Sequence, residues 1–165
     1  MGRDIDFVIT RTFDAPRDVV WKAITEFDRL AQWWGPKGFT WLGGSLELKP
    51  GGVFHYGMSA PNGGPQMWGK FVYEEIDPPH RLVFINSFAD ASGNTIRAPF
   101  SEKWPLEVHN TWTLDERDGK TILILRGSPH NATEAERDMF ESMRGSMQQG
   151  FAGTLDQLSE YLARA

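Results

Sequence analysis

Ile5–Phe13 alternates apolar with polar or β-branched positions (Phe7, Ile9, Thr10, Thr12), which sends successive side chains to opposite faces and predicts a strand. The period then lengthens. Val20, Ala23, Ile24 and Phe27 stand at i, i+3, i+4 and i+7, one face of an amphipathic helix. Asp14-Ala15-Pro16 precedes them as a start signal, with Asp14 as capping group and Pro16 in the first turn. A second short helix is expected around Asp28–Trp33, ended by Gly35-Pro36.

From Phe39 to Ser128 the pattern predicts six strands. The turns between them are Gly- or Pro-rich: Lys49-Pro50-Gly51-Gly52, Pro61-Asn62-Gly63-Gly64, Asp77-Pro78-Pro79-His80 and Arg117-Asp118-Gly119. Connections this short imply antiparallel pairing. Ala89–Pro105 is the one long loop, polar apart from Phe100 and Trp104. The chain closes on one long helix. Thr133 and Glu136 have capping-box spacing, and Phe140, Met143, Met147, Phe151, Leu155, Leu158 and Leu162 recur at helical period. Such a helix must lay its apolar stripe on the sheet. The expected architecture is α+β: a curved seven-stranded antiparallel sheet around a long C-terminal helix, with two short helices between strands 1 and 2. With 165 residues and no repeat or linker, 1–165 is read as a single domain.

Composition narrows the function classes. There is no cysteine, so disulfides, thiolate metal sites and a cysteine nucleophile are out. The net charge of −5, with no basic stripe, argues against nucleic-acid binding. No stretch approaches the roughly 20 apolar residues of a membrane span. The first ten residues lack the apolar core of a signal peptide, and Asp6 stands where a myristoylation signal needs Ser or Thr. A cytoplasmic protein is expected.

Enzyme signatures are absent. Gly119-Lys120-Thr121 mimics the end of a P-loop, but Leu114 occupies the place of its first glycine. There is no nucleophile elbow and no dinucleotide fingerprint, and His55, His80, His109 and His130 are too scattered for a metal site. Neither cofactor nor metal is expected. What stands out is an interior rich in aromatics and Met, from seven Trp, eleven Phe and six Met. Trp33 and Trp34 precede a tight turn. Phe54, Tyr56 and Met58 share one strand face, as do Leu82, Phe84, Asn86 and Phe88, and Val108, Asn110, Trp112 and Leu114. Most of these are ordinary core. Some are candidates to line a cavity together with Met143, Met147 and Phe151, because Met and aromatic groups adapt to irregular apolar ligands. Asn86 and Asn110 would orient a ligand, or else satisfy local backbone groups. Arg144, on the apolar helix face, either snorkels to water or anchors an anion at the cavity mouth, with Glu75 and Glu107 as alternative partners.

Several segments together resemble a known family. They are Ala15-Pro16 before Val20-Trp21, Trp33-Trp34-Gly35-Pro36-Lys37-Gly38-Phe39, Pro50-Gly51-Gly52, Glu75-Ile76-Asp77-Pro78-Pro79-x-Arg81-Leu82-Val83-Phe84, and Gly150-Phe151-x-x-x-Leu155-x-x-Leu158-x-x-Tyr161-Leu162. In order along nearly the whole chain, they are similar to the AHSA-type branch of the SRPBCC superfamily (START-like, birch-pollen-allergen-like), named after the activator of the heat-shock-protein-90 ATPase. The resemblance implies a helix-grip fold enclosing a cavity, and it brings no catalytic motif. Gly150-Phe151 replaces the Gly-Trp that the family commonly carries. The favoured reading is binding of a small hydrophobic or aromatic molecule. The alternative is a cyclase- or hydrolase-like enzyme using Tyr56, Asn110, Glu75 or His109. A third reading, chaperone ATPase activation, rests on analogy, since the eukaryotic activator also uses a separate N-terminal domain for which this chain has no room. A monomer and a homodimer both fit.

Overall fold

The computed structural model describes residues 7–164. In chain order the elements are β1 (Phe7–Phe13), α1 (Arg17–Thr25), α2 (Phe27–Trp33), β2 (Thr40–Leu46), β3 (Val53–Ser59), β4 (Gln66–Asp77), β5 (Arg81–Ala89), β6 (Thr95–Ile96), β7 (Glu107–Arg117), β8 (Lys120–His130), α3 (Glu134–Ser142) and α4 (Arg144–Arg164). The sheet is antiparallel in the order β1-β8-β7-β5-β4-β3-β2, with β6 paired to β5 beside the path. The expected seven strands are therefore present, and the long loop adds a two-residue eighth. Residues 5 and 6 of the first expected strand, and the N-terminal readings on residues 1–6, lie outside the described residues.

The turns behave as their residues require. Asp118 and Gly119 both have positive φ (55° and 77°), the geometry of a two-residue hairpin loop that matches the strand twist. One extra residue bulges β4 between Tyr73 and Glu75.

Two expectations about helix ends are corrected. Asp14 does not cap α1. Pro16 occupies the cap position and its side chain offers no acceptor; instead Arg17 N donates to Glu116 Oε1 of β7 at 2.7 Å. The carboxylate thus reaches the positive end of the helix from another element. The C-terminal helix is also not continuous. The capping box at Thr133 and Glu136 starts α3 as expected, but the backbone leaves helical geometry at Met143 (φ −95°, ψ 5°) before α4 begins. Ser142 Oγ donates to Met139 O at 2.7 Å, and a side chain that competes for a helical carbonyl bends helices.

The interior falls into two clusters. The main core gathers the inner faces of β3, β4, β5 and β7 with α1, α2 and the second half of α4; Phe54, Phe71, Phe84, Trp112, Leu155 and Leu158 are all buried in it. Phe71 and Phe84 stack at 4.0 Å between centroids. A second, smaller cluster joins Phe7 and Phe140, with Trp104, Met147 and Phe151 packed against it.

Candidate functional site

The face that α4 turns to the sheet changes along its length. In the second half Leu155 and Leu158 fill the interior. In the first half Ser146, Gly150 and Thr154 follow one another at four-residue spacing, so one ridge of the helix carries little bulk. A Cβ at Gly150 would meet no atom within 4 Å. A cleft of about 370 Å³ occupies the space left between the two clusters, within the usual size range of small-molecule sites. Trp34, Gly35 and Pro36 form one rim. Tyr56 and Met58 of β3, Met67 of β4 and Phe88 of β5 form the floor. Phe100 and Trp104 close it from the long loop, and Met143, Ser146, Met147, Gly150, Phe151 and Thr154 form the helical wall. A smaller space of about 70 Å³ beside it shares Trp104, Met147 and Phe151, and a notch of about 50 Å³ shares Tyr56, Met67 and Phe88.

The rims are fixed by different means. Thr154 Oγ1 donates to Gly35 O at 3.0 Å, and Gln157 Nε2 lies 2.8 Å from Gly35 O and 3.1 Å from Trp33 O. The Trp33–Pro36 segment is therefore clamped on α4. Gly35 has φ +115°, and a Cβ there would stand 2.8 Å from Met58 Cε, so glycine is required for the loop to lie against the floor. On the other rim, Phe100 is 55% exposed and packs edge-on against Phe88 and Trp104, and Trp104 continues to Phe140. Arg97 ties this loop down: it pairs with Glu136 and donates to Trp104 O at 3.3 Å. The Thr133 backbone N–H, then Arg97, holds the Glu136 carboxyl below the usual glutamate range.

Polar groups in the cleft are few. Tyr56 lies across Gly69, its register partner on β4. Burial pushes its hydroxyl up to about 12, while the Trp34 and Asn86 side-chain donors beside it pull the other way. Trp34 Nε1 is buried and makes no hydrogen bond. Asn86 Nδ2 donates to Lys70 O at 3.1 Å, and Asn110 Nδ2 to Val108 O at 3.0 Å. Both asparagines thus satisfy backbone carbonyls, one of the two roles their positions suggested.

Of the residues expected to line a cavity, the structure brings Trp34, Tyr56, Met58, Phe88, Met143, Met147 and Phe151 together in the cleft. Asn110 and Trp112 border the 70 Å³ space, and Asn86 borders both smaller ones. Three aromatics sit elsewhere. Phe54 and Phe84 are core, and Trp33, 2% exposed, donates its indole N–H to Ala23 O at 2.8 Å. Arg144 pairs with Glu141 at 2.7 Å, one turn back on the helix surface, and not with Glu75 or Glu107; its side chain is outside the cleft lining. The candidate acids and bases do not converge either. Glu75 pairs with Arg81 at 3.0 Å, and His109 faces Glu74 at 3.3 Å beside His130, both away from the cleft. Sequence reasoning missed Gly35, Pro36, Met67, Phe100, Trp104, Ser146, Gly150 and Thr154. The spacing of small residues along the last helix was the available signal.

Among the described residues no helix is long and apolar enough to cross a membrane. The family model for the "Activator of Hsp90 ATPase homolog 1-like protein" matches residues 14–163. The chain belongs to this family. Solved structures resemble this AHSA1-like domain over nearly its whole length. Protein Ms6760 from Mycobacterium smegmatis is 25% identical, with a TM-score of 0.77 over 96% of this chain and 90% of its own. A protein from Arthrobacter aurescens is also 25% identical, with a TM-score of 0.77 over 99% of this chain and 91% of its own. An AHSA1 protein from Silicibacter pomeroyi, 19% identical, shares the fold with a TM-score of 0.71 over 96% of this chain and 97% of its own. No curated protein matches the sequence of the AHSA1-like chain.

Proposed function

We propose that the protein binds a small, largely apolar and aromatic molecule in the cleft between the sheet and α4. The observation that carries this reading is the cleft itself: about 370 Å³, lined by aromatic, Met and small residues and, among the described residues, by no charged side chain. The space is left unfilled by an ordered helix ridge of Ser146, Gly150 and Thr154, whose side chains are small. Methionines at 58, 67, 143 and 147 give walls that adapt to shape.

The test is titration with N-phenyl-1-naphthylamine, a neutral dye that brightens in apolar sites, into the wild type and Met147→Trp. The wild type is expected to give saturable enhancement. The variant is expected to lose it with little change in melting temperature, because the larger ring enters open space. In a close-packed interior the same overpacking costs about 1–3 kcal/mol. A dye that stays dark with the wild type, together with a destabilised variant, would overturn the reading.

A further inference from the structure

We propose that Tyr56 sets the specificity of this cleft by donating its phenolic O–H to a carbonyl oxygen on an otherwise apolar, uncharged ligand. The inference rests on the binding reading above and adds the class of molecule that the cleft accepts.

The argument begins with the fixed position of the hydroxyl. A Cβ on Gly69 would stand 2.5 Å from Tyr56 Oη and 2.7 Å from its Cζ, so the phenol lies against bare backbone, and the residue borders both the cleft and the notch. A phenolic oxygen accepts through its lone pairs and donates one proton. The N–H groups of Trp34 and Asn86 lie near that oxygen and cannot take its proton, and Asn86 Nδ2 donates instead to Lys70 O. The buried Trp34 N–H, on the same cleft wall, makes no hydrogen bond and is a further donor without an acceptor. Among the described residues no acceptor is paired with the Tyr56 proton. Besides Tyr56 itself, the side-chain oxygens of the cleft lining are the Ser146 and Thr154 hydroxyls of α4, and Thr154 is bonded to Gly35 O. A buried donor without an acceptor is costly, and a ligand oxygen removes that cost.

The charge of that oxygen follows from the surroundings. No Lys, Arg or His side chain lines the cleft among the described residues, and Arg144 is engaged with Glu141. A carboxylate would be desolvated here without a counter-charge. A carbonyl oxygen accepts without bringing a proton of its own, whereas an alcohol would bury a second donor needing a partner. Ketones, quinones and esters share this chemistry.

The experiment compares two probes with one ring skeleton, fluorene and 9-fluorenone, by displacement of N-phenyl-1-naphthylamine. The readout is the ratio of their affinities. Tyr56→Phe is expected to lower the fluorenone-to-fluorene ratio about three- to tenfold, the value of one neutral hydrogen bond. Tyr73→Phe, which removes a buried hydroxyl outside the cleft, is expected to leave that ratio unchanged. Infrared spectra of fluorenone bound to the wild type should show its carbonyl stretch at lower wavenumber than in an apolar solvent, a signature that survives even if a variant misfolds. An unshifted stretch, or an equal ratio in wild type and Tyr56→Phe with both probes bound, overturns the assignment while leaving cavity binding intact. Tighter binding of fluorene-9-carboxylate than of fluorenone overturns it as well. If the dye binds and none of the three displaces it, this assignment alone falls; if the dye itself stays dark with the wild type, the binding reading falls and this one with it.

Discussion

Gly150→Leu tests whether the helical wall is open. Gly150 lies inside α4, on the face that lines the cleft, and a Cβ there meets no atom within 4 Å. Two gains are expected. Leucine in a helix interior is favoured over glycine by about 0.8 kcal/mol. Partial burial of its side chain in a cleft open on one side adds about 1 kcal/mol, less than the ~1.5–3 kcal/mol of full burial. Together they amount to about 2 kcal/mol, or about 4–8 °C in Tm for a chain of this size. The same side chain occupies the space a ligand ring would take, so affinity for N-phenyl-1-naphthylamine should fall at least about tenfold, ~1.4 kcal/mol. Calorimetric melting and dye titration measure the two effects on one sample. A lower Tm would show that the wall is closed at Gly150. A higher Tm with undiminished dye affinity would place the dye elsewhere.

The remaining predictions concern the rim and the floor. Thr154→Val and Gln157→Ala each remove a donor from Gly35 O, and denaturant titration should show a loss of about 1 kcal/mol for either; the double variant, which leaves the carbonyl without both, should lose more than their sum. At high pH, Tyr56 is deprotonated in the unfolded chain near its ordinary value of about 10 but in the folded protein only near about 12. The folded state then holds the extra proton, so the stabilisation is complete below pH 10 and is lost as pH rises toward 12. Tyr56→Phe should flatten that part of the stability profile, and a profile of wild-type steepness in the variant would refute the assignment.

The sheet was legible because its signals are local. Asp118-Gly119 selects a hairpin, and the alternation at Phe54, Tyr56 and Met58 marks an inner face whatever lies opposite. The misses involve partners distant in sequence. Glu116 caps α1 from a strand some 99 residues away, which no local capping rule can find. The break at Met143 coincides with a Ser142 hydroxyl on the Met139 carbonyl, while the apolar stripe runs through it without interruption. In the site, alternation identified the inner face but not where along it packing stops. Phe84 is buried core and Phe88, two inward positions further along, is cleft lining, and only the bulk on the facing helix decides between them. The lining therefore had to be read from what α4 lacks, at Ser146, Gly150 and Thr154, and an inventory of large apolar residues passes over those positions.

The separation of the two packed clusters bears on how such a domain diversifies. The side chains that hold the fold, around Phe71, Trp112 and Leu158, are largely different from those that shape the cleft. Ser146, Gly150 and Met143 line the space while contributing little to the main core. Substitutions there change the shape of the cleft without creating voids in the part that carries stability, at little risk to folding. A chain arranged in this way can keep its architecture at low sequence identity to its structural neighbours while the lining of the cleft changes.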